Sequence, residues 1–205
     1  RINEVLHILD IKLEESVYVA MEDYYNFIIE RLEYRRYQSN WSAIESSAAI
    51  AYAVAFNTYD ERFDKALDAY DTCLDLQVLN DGLQWEQSFM YHHEVLITAL
   101  FVNLPLQDKT PEAIRRESIK LYEASLKIMR PDFMQINFGD SDYESMASIM
   151  LASEKIFKTH SLKQSVESSL YDFLLTGDSS DYVSEEVLKV EKIHLEEAGI
   201  AFVKD

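Results

Sequence analysis

The sequence predicts an all-α protein of antiparallel helical hairpins stacked around an axis, and three observations carry that expectation. Only 4 Gly and 3 Pro punctuate 205 residues, so long uninterrupted helices are expected. Apolar residues recur at helical spacing in one segment after another, and no strand-like alternation persists before the last dozen residues. At 48% hydrophobic and 12% aromatic, the chain has enough apolar side chain to bury a core as one domain.

A first helix is expected over Ile2 to about Leu13. Ser16 to Tyr37 follows, with Val17, Met21, Tyr24, Tyr25, Ile28 and Leu32 as its apolar stripe, then Trp41 to Phe56 with Ile44, Ala48, Ala51, Tyr52 and Ala55 turned inward. Thr58-Tyr59-Asp60-Glu61 reads as a capping box opening a helix to Leu79. Asp81-Gly82 marks a tight turn, and Ser88 is the candidate N-cap of an apolar-rich helix over Tyr91 to Leu104. Thr110-Pro111-Glu112 supplies an N-cap and a proline at the first helical position for a helix to Met129. Two further capping boxes, Ser141 to Glu144 and Ser161 to Gln164, open helices expected to end at Phe157 and Leu175. The small and β-branched character of Glu197 to Lys204 reads as the start of a strand. The expected division is a helical domain over 1–195, then a linker or first strand over 196–205. With no initiator Met, signal peptide or membrane-length apolar run, the chain reads as a piece of a longer protein.

Nineteen Lys+Arg against 37 Asp+Glu give a net charge of −18, which argues against nucleic acid or an acidic membrane as partner. One segment departs from that balance: Arg31, Arg35 and Arg36 interleave with Tyr34 and Tyr37 just before Trp41. Such a cluster can stack on sugar rings and fork onto carboxylate or sulfate oxygens, or it can simply complement a helix C-terminus. The single cysteine, Cys73, excludes an internal disulfide and a cysteine zinc site, and reads as a buried helical thiol.

The most chemical stretch is Asp81 to His93, which gathers a turn, Glu86, Tyr91, His92 and His93. Glu86, Tyr91 and His92 are expected at one helix end, facing a cleft. The loops Gln38–Trp41, Asn80–Tyr91 and Asn137–Asp142 are alternate connections, so in an up-down array they fall on one rim. A cleft there collects Asn40, Glu86, Tyr91, His92, Asp140 and Asp142. Adjacent histidines point to different helix faces and do not ligate one metal together, so neither metal nor cofactor is expected. Plainer roles compete for each residue: Tyr91 as a core aromatic, Asp140 and Asp142 as turn and cap, Glu86 as a group orienting Tyr91, and Glu45 as a neighbour's partner.

Asn40-Trp41-Ser42-Ala43-Ile44-Glu45, then Asp81-Gly82 with Glu86-Gln87-Ser88 and Tyr91-His92, then Phe138-Gly139-Asp140-Ser141-Asp142, resembles in order and spacing the N-terminal α/α toroid of heparinase II/III-like polysaccharide lyases. The resemblance covers essentially the whole chain and implies an incomplete α/α toroid ending where a β-sandwich region begins. It also implies β-elimination on a uronate polymer. Tyr91, Asn40 and His92 are then the catalytic candidates: Tyr91 as the acid, in some substrates also the base, and Asn40 as the donor that neutralises the uronate carboxylate. Substrate contacts fall to Glu86, Trp41, Arg35, Arg36, Asp140 and Asp142. The family often has a histidine beside the neutralising asparagine, where this chain has Trp41, and it draws a further catalytic histidine from the C-terminal region. The implied partners are an acidic polysaccharide, a glycosaminoglycan of low sulfation ahead of alginate or hyaluronan, and the protein's own β region. A noncatalytic carbohydrate-binding or scaffold domain is the second expectation.

Overall fold

Small side chains on one helix decide how the array packs. In the computed structural model, which describes residues 14–34, 36–184 and 191–204, helix α2 (Asn40–Phe56) buries Ala43, Ala49, Ile50 and Ala53 with Ser46 and Ser47. Ser46 Oγ donates to the Ser42 carbonyl at 2.6 Å and Ser47 Oγ to that of Ile44 at 2.9 Å. The hydroxyls are thus satisfied within their own helix and its surface packs as apolar. With so little side chain between the axes, α2 sits at once against α1 (Glu15–Leu32), α3 (Glu61–Gln77) and α4 (Phe89–Leu106). Helix α4 continues the array to α5 (Glu112–Ile128) and α6 (Ala147–Phe157), α5 reaches back to α3, and the short α7 (Leu170–Thr176) packs on α6. This is the expected all-α, toroid-like arrangement.

Strands β1 (Glu191–Leu195) and β2 (Ile200–Lys204) form one antiparallel hairpin. Ile193, Leu195 and Ala198 join Leu83, Phe89 and Ile128 in a small second core. Strand β1 therefore lies inside the 1–195 span expected to form the helical domain.

Several boundaries differ from those expected, each for a physical reason. Helix α1 stops at Leu32 instead of Tyr37, because the chain turns through Glu33 and Tyr34 and the Tyr37 hydroxyl bonds back to the Leu32 carbonyl at 3.2 Å. Of its expected stripe, Tyr25, Ile28 and Leu32 are buried while Val17 and Tyr24 are exposed. In α2 the expected inward positions Ile44 and Ala48 face outward. A helix apolar all round does not reveal its inner face, and close packing selects the Ala/Ser side. Thr58 does not cap α3: its N–H donates to Ala53 O at 2.8 Å, with Asn57 left-handed at φ 56°, and this finishes α2. Asp60 caps α3 instead, accepting the Arg62 N–H at 2.9 Å.

The two later capping boxes also fail. Helix α6 starts at Ala147, six residues past Ser141. Ser161 opens no helix, because the buried Glu154 carboxylate accepts the N–H groups of His160, Ser161 and Leu162 at 2.7 to 3.1 Å and holds them in a loop. The box that does form is Ser169/Asp172, at the start of α7. The helix expected over Ile2 to Leu13 lies outside the described residues.

Candidate functional site

The loop between α3 and α4 is built on a close approach. Gly82 has φ +90°, and a Cβ there would lie 2.4 Å from the Lys120 carbonyl oxygen. Only glycine lets the turn rest on α5. Around it the Leu79 N–H donates to Leu83 O and the Gly82 N–H to Leu79 O, both at 2.9 Å. Asp81 Oδ2 accepts the N–H groups of Glu197 and Ala198 at 3.0 Å, and the Glu197 carboxylate accepts the Asn80 N–H. The hairpin turn and the loop thus brace each other.

From this base the three loops converge at the N-terminus of α4. Ser88 stands at the N-cap, as expected, but its hydroxyl donates to the Asp140 carbonyl at 2.9 Å. The capping oxygen is Ser141 Oγ, which accepts the Met90 N–H at 3.1 Å from 51 residues away. Gly139, at φ +67°, lets its loop lie against Gln87 and Ser88. Across the other junction Trp85 Nε1–H donates to the Gln38 carbonyl at 2.8 Å.

Two hydrogen bonds define the chemistry at this rim. The Tyr91 hydroxyl donates to Asp140 Oδ2 at 2.7 Å, which raises the phenol's pKa, with Glu86 and Glu94 adding to the effect from farther off. Asn40, only 7% exposed, donates Nδ2–H to Glu94 Oε2 at 2.7 Å, and its Oδ1 accepts the Trp41 N–H at 3.0 Å. Glu94 lies one helical turn from Tyr91, so the amide and the phenol share a face of α4. One amide proton of Asn40 remains for a ligand. Removing the charge at Asp140 tests the first bond: in Asp140→Asn the Tyr91 phenol should titrate at a lower pH than in the native protein, read from the NMR signal of labelled tyrosine, and an unchanged titration would show that the bond does not form in solution.

The structure corrects the placement of His92. It is not at the cleft: its side chain is fully buried, Nδ1 accepts the Gln84 N–H at 3.2 Å, and Nε2 lies 2.8 Å from Ser125 Oγ and 3.1 Å from Leu121 O. A backbone N–H can only donate, so Nδ1 carries the lone pair and the ring is held neutral. Burial, helped by nearby His93, drives its pKa well below the ordinary value. His93 is also buried, with Nδ1 2.5 Å from Gln135 Oε1, and burial pulls its pKa down to about 4. Both rings lie inside because α4 is packed on both sides. His92 therefore positions the loop through Gln84 from inside the core.

The other expected contacts divide. Trp41 is 68% exposed on the first turn of α2, and Glu86 is half-buried, its N–H held by Gln84 Oε1 at 2.9 Å. Asp142 is exposed and engages the site through its backbone, whose carbonyl accepts from Gln135 Nε2 at 2.8 Å. Arg36 is exposed, its carbonyl accepting the Ser42 hydroxyl, while Arg35 lies outside the described residues. Arg31 is engaged by Glu45 at 2.8 Å. A groove of about 820 Å³ beside α3, lined by Leu32, Tyr37 and the carboxylates of Glu33, Glu61, Asp64 and Asp68, holds none of the Tyr91 cluster. Among the described residues no histidine, cysteine and carboxylate group has the arrangement of a metal site, and no helix is long and apolar enough to cross a membrane.

The profile of the heparinase II/III N-terminus family matches residues 13–167. The chain belongs to that family. It is thereby related to polysaccharide lyases. No curated protein and no solved structure matches it. The matched span of this heparinase II/III N-terminal domain includes Asn40, Tyr91 and Asp140. It also includes two residues that sequence reasoning missed. Glu94 was visible as the residue one turn beyond Tyr91. Trp85 was visible as the second tryptophan, in the very loop that bears Glu86.

Proposed function

We propose that this chain is the helical part of a lyase that cleaves a uronate polymer of low sulfation by β-elimination, with Tyr91 as the acid and Asn40 as the carboxylate-binding donor. The observation that supports it best is the Tyr91–Asp140 bond: a phenol held protonated on the same face of α4 as a buried amide, in a heparinase II/III N-terminal domain.

A uronate C5 proton is weakly acidic until its carboxylate is neutralised. Asn40 binds that carboxylate with its free amide proton, so the charge developing as C5 loses its proton is drawn into a hydrogen bond. The electron pair left at C5 forms the C4–C5 double bond, the C4–O4 bond breaks, and O4 departs with its pair. Tyr91 protonates O4 and becomes a phenolate, which Asp140 destabilises and solvent promptly reprotonates. With the phenol's pKa raised and His92 buried, removal of the C5 proton falls to a histidine outside this helical domain, the group that the family resemblance implies.

The intact protein, incubated with unsulfated glycosaminoglycan, hyaluronan or alginate, should release unsaturated oligosaccharides that absorb in the ultraviolet. Saturable binding of these polymers without that absorbance would show a carbohydrate-binding domain that performs no elimination.

A further inference from the structure

Both tryptophans of the chain, Trp41 and Trp85, are solvent-exposed, at 68% and 46%. An indole offers a flat apolar face and a polar edge, which suits it to an amphipathic ligand. The two arise from different elements yet hang on one short segment. Trp85 is tied through Nε1–H to the Gln38 carbonyl, and Trp41 follows three residues later as the second residue of α2. That segment is held from within: the buried Gln77 side chain donates to the carbonyls of Tyr37 and Ser39 at 2.7 and 3.1 Å, and the Gln77 carbonyl accepts the Trp85 N–H at 2.9 Å. Asn40, the residue before Trp41, is joined at 2.7 Å to Glu94, which lies one helical turn from Tyr91.

We infer that Trp85, with Trp41, forms a stacking subsite for a pyranose ring of an unsulfated uronate chain, beside Tyr91 and Asn40. A pyranose presents axial C–H groups on one face, and these seat on the electron-rich face of an indole without any charge. Trp85 is suited to this because its Nε1–H bond fixes the ring and leaves a face open, so little side-chain freedom is lost on binding. The carboxylates favour the low-charge chain. Asp140 touches the Tyr91 hydroxyl, and Glu86 and Glu94 stand near enough to influence it. Each sulfate brought to this rim meets that repulsion, whereas a single uronate carboxylate has the Asn40 amide to bind it. Recognition through ring faces also loses little strength as salt is raised. The location of the subsite relative to bond cleavage rests on the lyase reading, but its existence does not.

The two indoles are the only tryptophans of this chain, and an emission change that Trp85→Phe and Trp41→Phe remove belongs to this subsite. Titrating the intact protein with an unsulfated uronate hexasaccharide should shift tryptophan emission saturably and with little salt dependence, and the sulfated counterpart should bind more weakly. Trp85→Ala should weaken binding and raise KM about tenfold with kcat little changed, while Trp85→Phe retains most of the affinity and guards against a misfolded alanine variant. Unchanged affinity in folded Trp85→Ala and Trp41→Ala overturns the subsite even where ultraviolet-absorbing product forms. Emission that shifts with protein concentration in the absence of sugar also overturns it, showing the indoles to be a self-association surface. Tryptophan-dependent binding with no product leaves the subsite standing and removes the lyase reading.

Discussion

Tyr91→Phe in the intact protein should reduce elimination by about two to four orders of magnitude, the range for losing a positioned general acid. The phenol's one hydrogen bond runs to Asp140, a residue open to solvent, so water replaces the lost partner and the fold is unaffected. The ring itself stays where its neighbours place it. Melting temperature and oligosaccharide affinity should therefore match the native protein while kcat collapses. A loss of less than tenfold would remove Tyr91 from the acid role. The pH profile separates acid from base: the Asp140 carboxylate raises the phenol's pKa, so an acid role keeps kcat high past the ordinary tyrosine value of about 10. A base role would instead require activity to climb with an ionisation well below that value.

The rim was legible in the sequence because its parts are local or ordered along the chain. Asp81-Gly82 announces a turn that only glycine can make against α5, and the three polar loops recur at the same end of successive hairpins. What sequence could not show was which distant atom each polar group would find. Ser141 has the pattern of a cap for its own helix, yet it caps α4 while Ser88, the residue in the cap position, bonds the loop that carries Ser141. The two serines exchange tasks across 53 residues. The same holds for His92, whose partners lie 8, 29 and 33 residues away. A histidine in an apolar run signals either a site or a satisfied core group, and only the positions of Gln84, Leu121 and Ser125 decide for the core. Asn40 and Glu94 are a third case: each is ordinary in its own helix, and their pairing depends on the contact of α2 with α4.

Acidification should expose the consequence of burying two histidines. Burial lowers the pKa of both His92 and His93, that of His93 to about 4, whereas in the unfolded chain each titrates near 6.5. Between those values the unfolded chain binds more protons than the native one, so stability rises with pH through the window and is lost as pH falls from about 6.5 towards 4. At 1.36 kcal/mol per pH unit, His93 alone accounts for about 3 kcal/mol across that span, and His92 acts in the same direction. Carboxylates held below their ordinary range, such as Glu22 and Asp60 beside Arg62, lose their contribution at lower pH still and do not mimic this slope. Denaturant midpoints measured from pH 7 to 4.5 should fall steadily, and His93→Gln should flatten part of the fall. The imidazole NMR signals of both residues should show neutral rings at pH 5 in the folded protein. A flat profile, or a charged ring at that pH, would show that these histidines are open to solvent. Because His92 Nδ1 accepts the Gln84 N–H, the neutral ring that burial enforces also holds the loop bearing Trp85 and Glu86. Activity should therefore persist on the acid side for as long as the fold does and be lost with it, so a residue expected at the cleft from sequence supports the site from beneath it.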